Sequence, residues 1–168
     1  MTIALLYCVD RLLMVKEDLV KCMPRVLVVC TGNIIRSACA QAFLQQMYAT
    51  LCPNWTVESA GTHAQNGQSI HPHAAKVLQA KGLNPDEHQA QILTPKLIQS
   101  SDIILIMEQV HRQIIENFYP TSCGKLFLFD DQGDVLDPLG GPIEQYQGVI
   151  DQIQQRTQQW AGKLSYLG

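Results

Sequence analysis

The chain has 168 residues, a formal net charge of −3 at pH 7, and 46% hydrophobic residues. This length suits one globular domain with a sizeable core. The basic residues are scattered, which argues against nucleic acid or an anionic membrane as a partner, and no apolar run is long enough to cross a bilayer.

Strand-like and helix-like patterns alternate along the chain, which is typical of a parallel sheet with crossover helices. Strands are predicted at residues 25–29, 55–59, 102–107 and 125–129. Helices are predicted at residues 37–49, 72–81 and 109–117, with a short helix from Thr94 and a long one from Ile143 that packs on the sheet rather than forming a coiled coil. Ser37 is placed to cap the first helix. The pattern predicts one α/β domain with a four-stranded sheet.

The first predicted strand runs into Cys30, and Arg36 follows six positions later. Between them, Gly32 and Asn33 tolerate the turns that let several backbone N–H groups face one centre, and such a nest binds a tetrahedral oxyanion. The helix that follows points its N-terminus at the same centre, which favours both a bound dianion and an ionised Cys30. Arg36 adds a planar fork of donors for phosphate oxygens. The sequence therefore predicts an anion site that contains a nucleophile.

A second loop, residues 130–142, carries Asp137 followed by a proline. It follows the fourth predicted strand, so we expect it to meet the Cys30 loop at the carboxyl edge of the sheet. The predicted chemistry is displacement at phosphorus: the Cys30 thiolate attacks, Arg36 holds the phosphoryl oxygens, and Asp137 protonates the leaving oxygen and later activates water. Ser37 can hydrogen-bond the Cys30 sulfur. The other expected phosphate-binding residues are Thr31, Gly32, Asn33, Ile34 and Ile35, and the Asn33 side chain can also tie the loop together.

Cysteine and histidine placement disfavours a metal site. The six cysteines contain no Cys-x-x-Cys pair, and His71 and His73 have no third ligand at a sensible spacing. We expect these two histidines to lie exposed at a helix start. Without a secretory signal, the cysteines are expected to be free thiols of a cytoplasmic protein.

Four segments of the chain are informative together. They are Cys-Thr-Gly-Asn-Ile-Ile-Arg-Ser from Cys30, Glu-Ser-Ala-Gly-Thr from Glu58, residues 102–108 with His111, and Asp-Pro at Asp137. In this order, they resemble the low-molecular-weight protein tyrosine phosphatases. The resemblance implies a flavodoxin-like, four-stranded parallel sheet with helices on both faces, and phosphotyrosine hydrolysis without metal or cofactor. It implies for Cys30 the role of nucleophile, with the phosphate-binding and acid roles given above for its two partners.

The resemblance also bears on domains and partners. It covers residues 25–164, so we expect the phosphatase domain at residues 25–168 and an N-terminal extension of uncertain structure at residues 1–24. It suggests a phosphotyrosine protein as the substrate, such as an autophosphorylating bacterial tyrosine kinase. We expect a monomer or weak dimer.

The chain departs from the family pattern at two places. Ile35 and Ala38 replace a cysteine and a proline, which removes the usual disulfide partner of Cys30, and Cys39 is expected to pack in the core instead. Leu139 follows Asp-Pro where aromatic residues are frequent, so Ile34 and Leu139 are the candidate rim for an aromatic substrate.

Two alternatives remain beside the tyrosine phosphatase prediction. Bacterial protein arginine phosphatases of the same superfamily share the Cys-Thr-Gly-Asn and Asp-Pro segments, but they carry threonine at the position of Ile34, whose side chain cannot donate a hydrogen bond. A retired phosphoprotein-binding module is disfavoured because nucleophile, arginine and acid are all present. An arsenate reductase is disfavoured because residues 81–94 contain no cysteine.

Overall fold

The computed structural model describes residues 24–51 and 55–165, so the expected extension, apart from Pro24, lies outside the described residues. Four strands form one parallel sheet in the order β2-β1-β3-β4. The strands are β1 (Arg25–Cys30), β2 (Thr56–Gly61), β3 (Ile103–Ile106) and β4 (Leu126–Leu128). The helices are α1 (Arg36–Leu51), α2 (Pro72–Ala80), α3 (Pro95–Ser100), α4 (Gln109–Phe118) and α5 (Ile143–Ser165), with a 3-10 helix at Pro120–Lys125. The predicted α/β class and all four predicted strands are confirmed.

The central strand β1 is buried on both faces, as its continuous apolar run indicates. Val26 and Val28 belong to one hydrophobic cluster, which also contains residues of α1, α2 and α5. Leu27 and Val29 belong to a second cluster with residues of α3 and α4. Side chains alternate between the faces of a strand, so each face of the sheet packs against helices. The prediction of helices on both faces is confirmed.

Helix ends follow from residues that the sequence places there. Pro72 opens α2 and Gly82, with φ of +77°, lies just beyond its end. Thr94 caps α3 by accepting a hydrogen bond from the backbone N–H of Leu97 at 3.3 Å. Both ends of α2 and the start of α3 agree with the predicted boundaries to within one residue.

Two local predictions are wrong. Helix α1 begins at Arg36, so Ser37 lies inside the helix and is not its cap; its hydroxyl contacts Cys30 and Asn33 instead. His71 and His73 are not simply exposed, because α5 packs over the start of α2. The Tyr146 ring lies 5.0 Å from the His71 ring and 5.1 Å from the His73 ring, measured between centroids.

The strand order determines where the candidate site lies on the sheet. The chain passes from β1 to the neighbouring β2 and then crosses to β3 on the other side of β1, which creates a switch point at the carboxyl edge of the sheet. The loop after β1 and the loop after β4 both emerge at this edge. Among the described helices, none combines the length and apolarity needed to cross a bilayer.

Candidate active site

The phosphate loop, residues 30–37, begins with the candidate nucleophile. Cys30 is the last residue of β1 and is buried. Its sulfur lies 2.9 Å from the Ser37 hydroxyl oxygen and accepts a hydrogen bond from the Asn33 backbone N–H at 3.2 Å. Ser37 Oγ already accepts from the Asn33 side chain, which leaves the hydroxyl hydrogen for the sulfur. Two donors therefore hold the sulfur at the base of the loop.

Asn33 fixes the shape of this loop. It is the one non-glycine residue with positive φ, +55°, in the described part of the chain, a conformation that asparagine tolerates. Its Nδ2 donates to Ser37 at 2.9 Å and to Ser59 of β2 at 2.7 Å, and its Oδ1 accepts from the backbone N–H of Gln91 at 2.9 Å. The His88 ring bonds to its carbonyl oxygen at 2.7 Å. The side chain therefore ties the loop to β2 and to the segment before α3.

Arg36 connects the phosphate loop to the acid loop, residues 130–142. Its side chain is only 1% exposed, and its guanidinium donates to the Val135 carbonyl at 2.8 Å and to Asp137 Oδ2 at 2.5 Å. A third contact joins it to the Glu108 carboxylate. Arg36 and Asp137 are separated by 101 positions in the chain, and the fold joins them at the edge of the sheet where β1 ends in Cys30.

The candidate acid lies at the mouth of the site. The Asp137 side chain is 37% exposed, and its Oδ1 accepts a hydrogen bond from the Leu139 N–H at 3.2 Å. Pro138 is buried between them, and Gly140 has φ of +85°, which lets the loop turn away. Leu139 itself is 60% exposed at the rim. The carboxylate thus faces both solvent and the guanidinium.

The remaining predicted residues complete the loop and its rim. Ile34 is half-buried, and its carbonyl accepts from the His71 N–H at 2.9 Å, whereas Ile35 is buried in the core. Cys39 of α1 is fully buried; burial, together with the neighbouring Cys30, raises the pKa of the Cys39 thiol well above its usual range. Cys39 therefore packs in the core as predicted.

Two groups at the site were given no role from the sequence, the Glu108 carboxylate and the His111 ring. The first contacts Arg36, and the second lies next to Thr31, which was predicted to bind phosphate. Glu108 and His111 form a capping box at the start of α4, in which Nδ1 of the histidine accepts from the Glu108 backbone N–H at 3.1 Å. The other ring nitrogen lies 3.0 Å from Thr31 Oγ1. The acidic residue and the histidine three positions later indicate a helix start, but no local pattern shows that this start contacts the phosphate loop.

The buried Arg36 guanidinium pairs with two carboxylates, those of Glu108 and Asp137. These charges also act on the neighbouring His111 ring. Burial lowers the pKa of His111; the carboxylates of Glu108, Asp134 and Asp137 oppose this shift, and Arg36 adds to it. The imidazole is therefore neutral near pH 7. Within residues 24–51 and 55–165, no group of three metal-ligating side chains is placed to hold a metal ion.

Comparison with known proteins agrees with this geometry. The sequence model of the low molecular weight phosphotyrosine protein phosphatase family matches residues 25–166. A probable low molecular weight protein-tyrosine-phosphatase, EpsP of Ralstonia nicotianae, is 34% identical over 145 residues, which are 85% of this chain and 97% of the relative.

Solved structures show the same likeness. The YwlE arginine phosphatase from Geobacillus stearothermophilus has 33% identity and a TM-score of 0.79, over 85% of this chain and 94% of that one. Vibrio vulnificus Wzb in complex with benzylphosphonate has 32% identity and a TM-score of 0.78, over 84% and 99%. The family match spans almost the whole described chain, and the chain belongs to the low molecular weight phosphotyrosine protein phosphatase family.

Proposed function

We propose that this protein is a protein-tyrosine phosphatase that hydrolyses phosphotyrosine through a cysteinyl-phosphate intermediate on Cys30. The observation that carries the proposal is the convergence of a buried thiol, a buried guanidinium and a half-exposed carboxylate at one edge of the sheet. These are the groups that phosphoryl transfer to sulfur needs: a nucleophile, a donor for the equatorial oxygens and a proton for the leaving group.

In the first step, the Cys30 sulfur attacks phosphorus as the bond to the tyrosine oxygen breaks. Arg36 exchanges its Asp137 partner for two phosphoryl oxygens, and the loop N–H groups bind the remaining charge. Asp137, released from the guanidinium, takes up a proton from solvent and gives it to the tyrosine oxygen as that oxygen leaves phosphorus. The products of this step are a free tyrosine side chain and a phosphorylated Cys30.

In the second step, water attacks the cysteinyl-phosphate. Asp137 now accepts a proton from that water, and the bond between sulfur and phosphorus breaks. The Ser37 hydroxyl, 2.9 Å from the sulfur, stabilises the departing thiolate by a hydrogen bond. Inorganic phosphate leaves and the free enzyme is restored.

The rim supports an aromatic substrate. Ile34 and the exposed Leu139 present apolar surface on opposite loops, and neither side chain can donate a hydrogen bond to a guanidinium-linked phosphate. Protein arginine phosphatase activity is the second candidate, because the likeness to YwlE is as close as the likeness to Wzb.

The test is a comparison of kcat/KM on two peptides that differ only in phosphotyrosine or phosphoarginine at one position. We expect the wild type to prefer phosphotyrosine by at least about tenfold, since one missing hydrogen bond to a polar substrate costs on this order or more. The Ile34→Thr variant should shift the ratio toward phosphoarginine. Faster turnover of phosphoarginine by the wild type would reverse the assignment, and no turnover of either peptide would indicate a binding module.

The proposal extends to the domain boundaries, the cellular compartment, the substrate protein and the oligomeric state of the enzyme. Residues 25–168 are proposed as the phosphatase domain and residues 1–24 as an extension, which is supported by the start of the central strand at Arg25. A free nucleophilic thiol requires a reducing compartment, so we place the reaction in the cytoplasm. We propose a phosphotyrosine protein, such as an autophosphorylating tyrosine kinase, as substrate, and a monomer or weak dimer as the acting form.

A further inference from the structure

The hydrogen bonds of His111 determine which of its ring nitrogens carries the proton. Nδ1 lies 3.1 Å from the backbone nitrogen of Glu108, which can only donate, so Nδ1 is unprotonated. The ring is fully buried and neutral, so its single proton lies on Nε2. Nε2 is 3.0 Å from Thr31 Oγ1 and therefore donates to it.

The same reasoning orients the Thr31 hydroxyl group. Its oxygen accepts from His111 Nε2 and lies 3.5 Å from Nη2 of Arg36, a second donor. Both neighbours are donors, so the hydroxyl hydrogen points away from them. The same Nη2 also contacts the Asp137 carboxylate, so Thr31 Oγ1 lies beside the position that a phosphoryl oxygen takes when it replaces that carboxylate.

We propose that His111 is a positioning residue, which fixes Thr31 so that its hydroxyl donates a hydrogen bond to a phosphoryl oxygen held by Arg36. The inference rests on the proposed phosphatase function. A preorganised donor contributes most where charge develops in the transition state, because it needs no reorientation during the reaction. The role of Thr31 is thus more than that of a backbone N–H in the nest.

Two substitutions at His111 separate this role from helix capping. The His111→Asn variant keeps an oxygen near the Nδ1 position, which can accept the Glu108 N–H, but has no group that reaches Thr31. The His111→Gln variant places an amide donor near the Nε2 position and gives up the cap. We expect the asparagine variant to lose about 10- to 100-fold in kcat/KM on a phosphotyrosine peptide, and the glutamine variant to lose clearly less. The opposite order would overturn the proposal.

A double-mutant cycle with Thr31→Val gives an independent measurement. The valine variant should lose a similar factor, mainly in kcat, and should remain available if the buried His111 variants do not fold, because Thr31 is only half-buried. Adding His111→Asn to Thr31→Val should cost nothing further in kcat/KM. Additive losses would show that His111 acts independently of Thr31, and an unimpaired valine variant would remove the hydroxyl from the reaction.

These outcomes are distinct from failure of the proposed function. A wild type that hydrolyses no phosphotyrosine peptide refutes the phosphatase assignment itself. A wild type that hydrolyses the peptide while His111→Asn is equally fast refutes only the positioning role. Urea unfolding of every variant identifies those whose loss of rate reflects loss of folded protein.

Discussion

Gly61 ends β2 directly beside the phosphate loop, and a methyl group at this position would collide with the loop backbone. A Cβ atom on Gly61 would lie 2.5 Å from the Thr31 carbonyl oxygen and 2.9 Å from the Asn33 backbone nitrogen. Both neighbours are backbone atoms, so the Gly61→Ala variant must displace the loop or the end of β2. Overpacking of this kind costs about 1–3 kcal/mol of stability. A displacement approaching 1 Å at a catalytic loop costs about 100-fold in rate.

The assay combines urea unfolding with kcat/KM on a phosphotyrosine peptide. Gly148→Ala is the matched control, because Gly148 lies on the exposed side of α5 and a Cβ there meets nothing within 4 Å. This control should gain about 0.5–1 kcal/mol of stability from helix propensity and keep its activity. If Gly61→Ala unfolds and turns over like the wild type, the close approach of β2 does not position the loop. Loss of stability without loss of rate would place the adjustment within β2.

Three further substitutions test other parts of the molecule. Asp137→Asn should lower kcat far more for phenyl phosphates with poor leaving groups than for those with good ones, because only poor leaving groups need the proton; an equal loss across the series would remove the acid role. Burial raises the pKa of Asp130, but hydrogen bonds from two glutamines and Arg156 outweigh it and hold that pKa below its usual value. Asp130→Asn should therefore cost about 1–3 kcal/mol in urea unfolding at pH 7, and the deficit should shrink as pH falls below the unfolded carboxyl pKa of about 3.9; a deficit that is constant with pH would contradict this. Ile35→Cys should improve recovery of activity by reductant after peroxide treatment, because a neighbouring thiol can trap the Cys30 sulfenic acid as a disulfide; full recovery of the wild type would contradict it.

The sequence predicted the elements well because each has a local signature. The continuous apolar run of β1 indicated a strand buried on both faces, and Pro72 and Thr94 marked helix starts. The phosphate loop could also be predicted from the sequence, because a thiol, a glycine, an asparagine and an arginine lie within seven consecutive positions.

Contacts between segments that are distant in the chain were harder to predict from the sequence. Glu108 contacts Arg36 across 72 positions, and His111 contacts Thr31 across 80, so no periodicity or spacing relates them. The wrong prediction for Ser37 has a related cause. A serine before a helical pattern has the chemistry of a cap. Here, however, the phosphate loop continues directly into α1, and the Ser37 hydroxyl is bonded to the Cys30 sulfur.

The three contacts of Arg36 have a consequence for the thermodynamics of anion binding. An exposed arginine gives up about 2 kcal/mol of side-chain conformational entropy when a ligand orders it. The Arg36 side chain is already ordered by its contacts with Glu108, Val135 and Asp137, so that entropy is lost during folding and not on encounter with phosphate. If binding avoids this entropic cost of about 2 kcal/mol completely, the dissociation constant is lower by about 30-fold. Part of this gain is offset by breaking the bond to Asp137, so the net affinity reflects an exchange of one anion for another on a preorganised guanidinium.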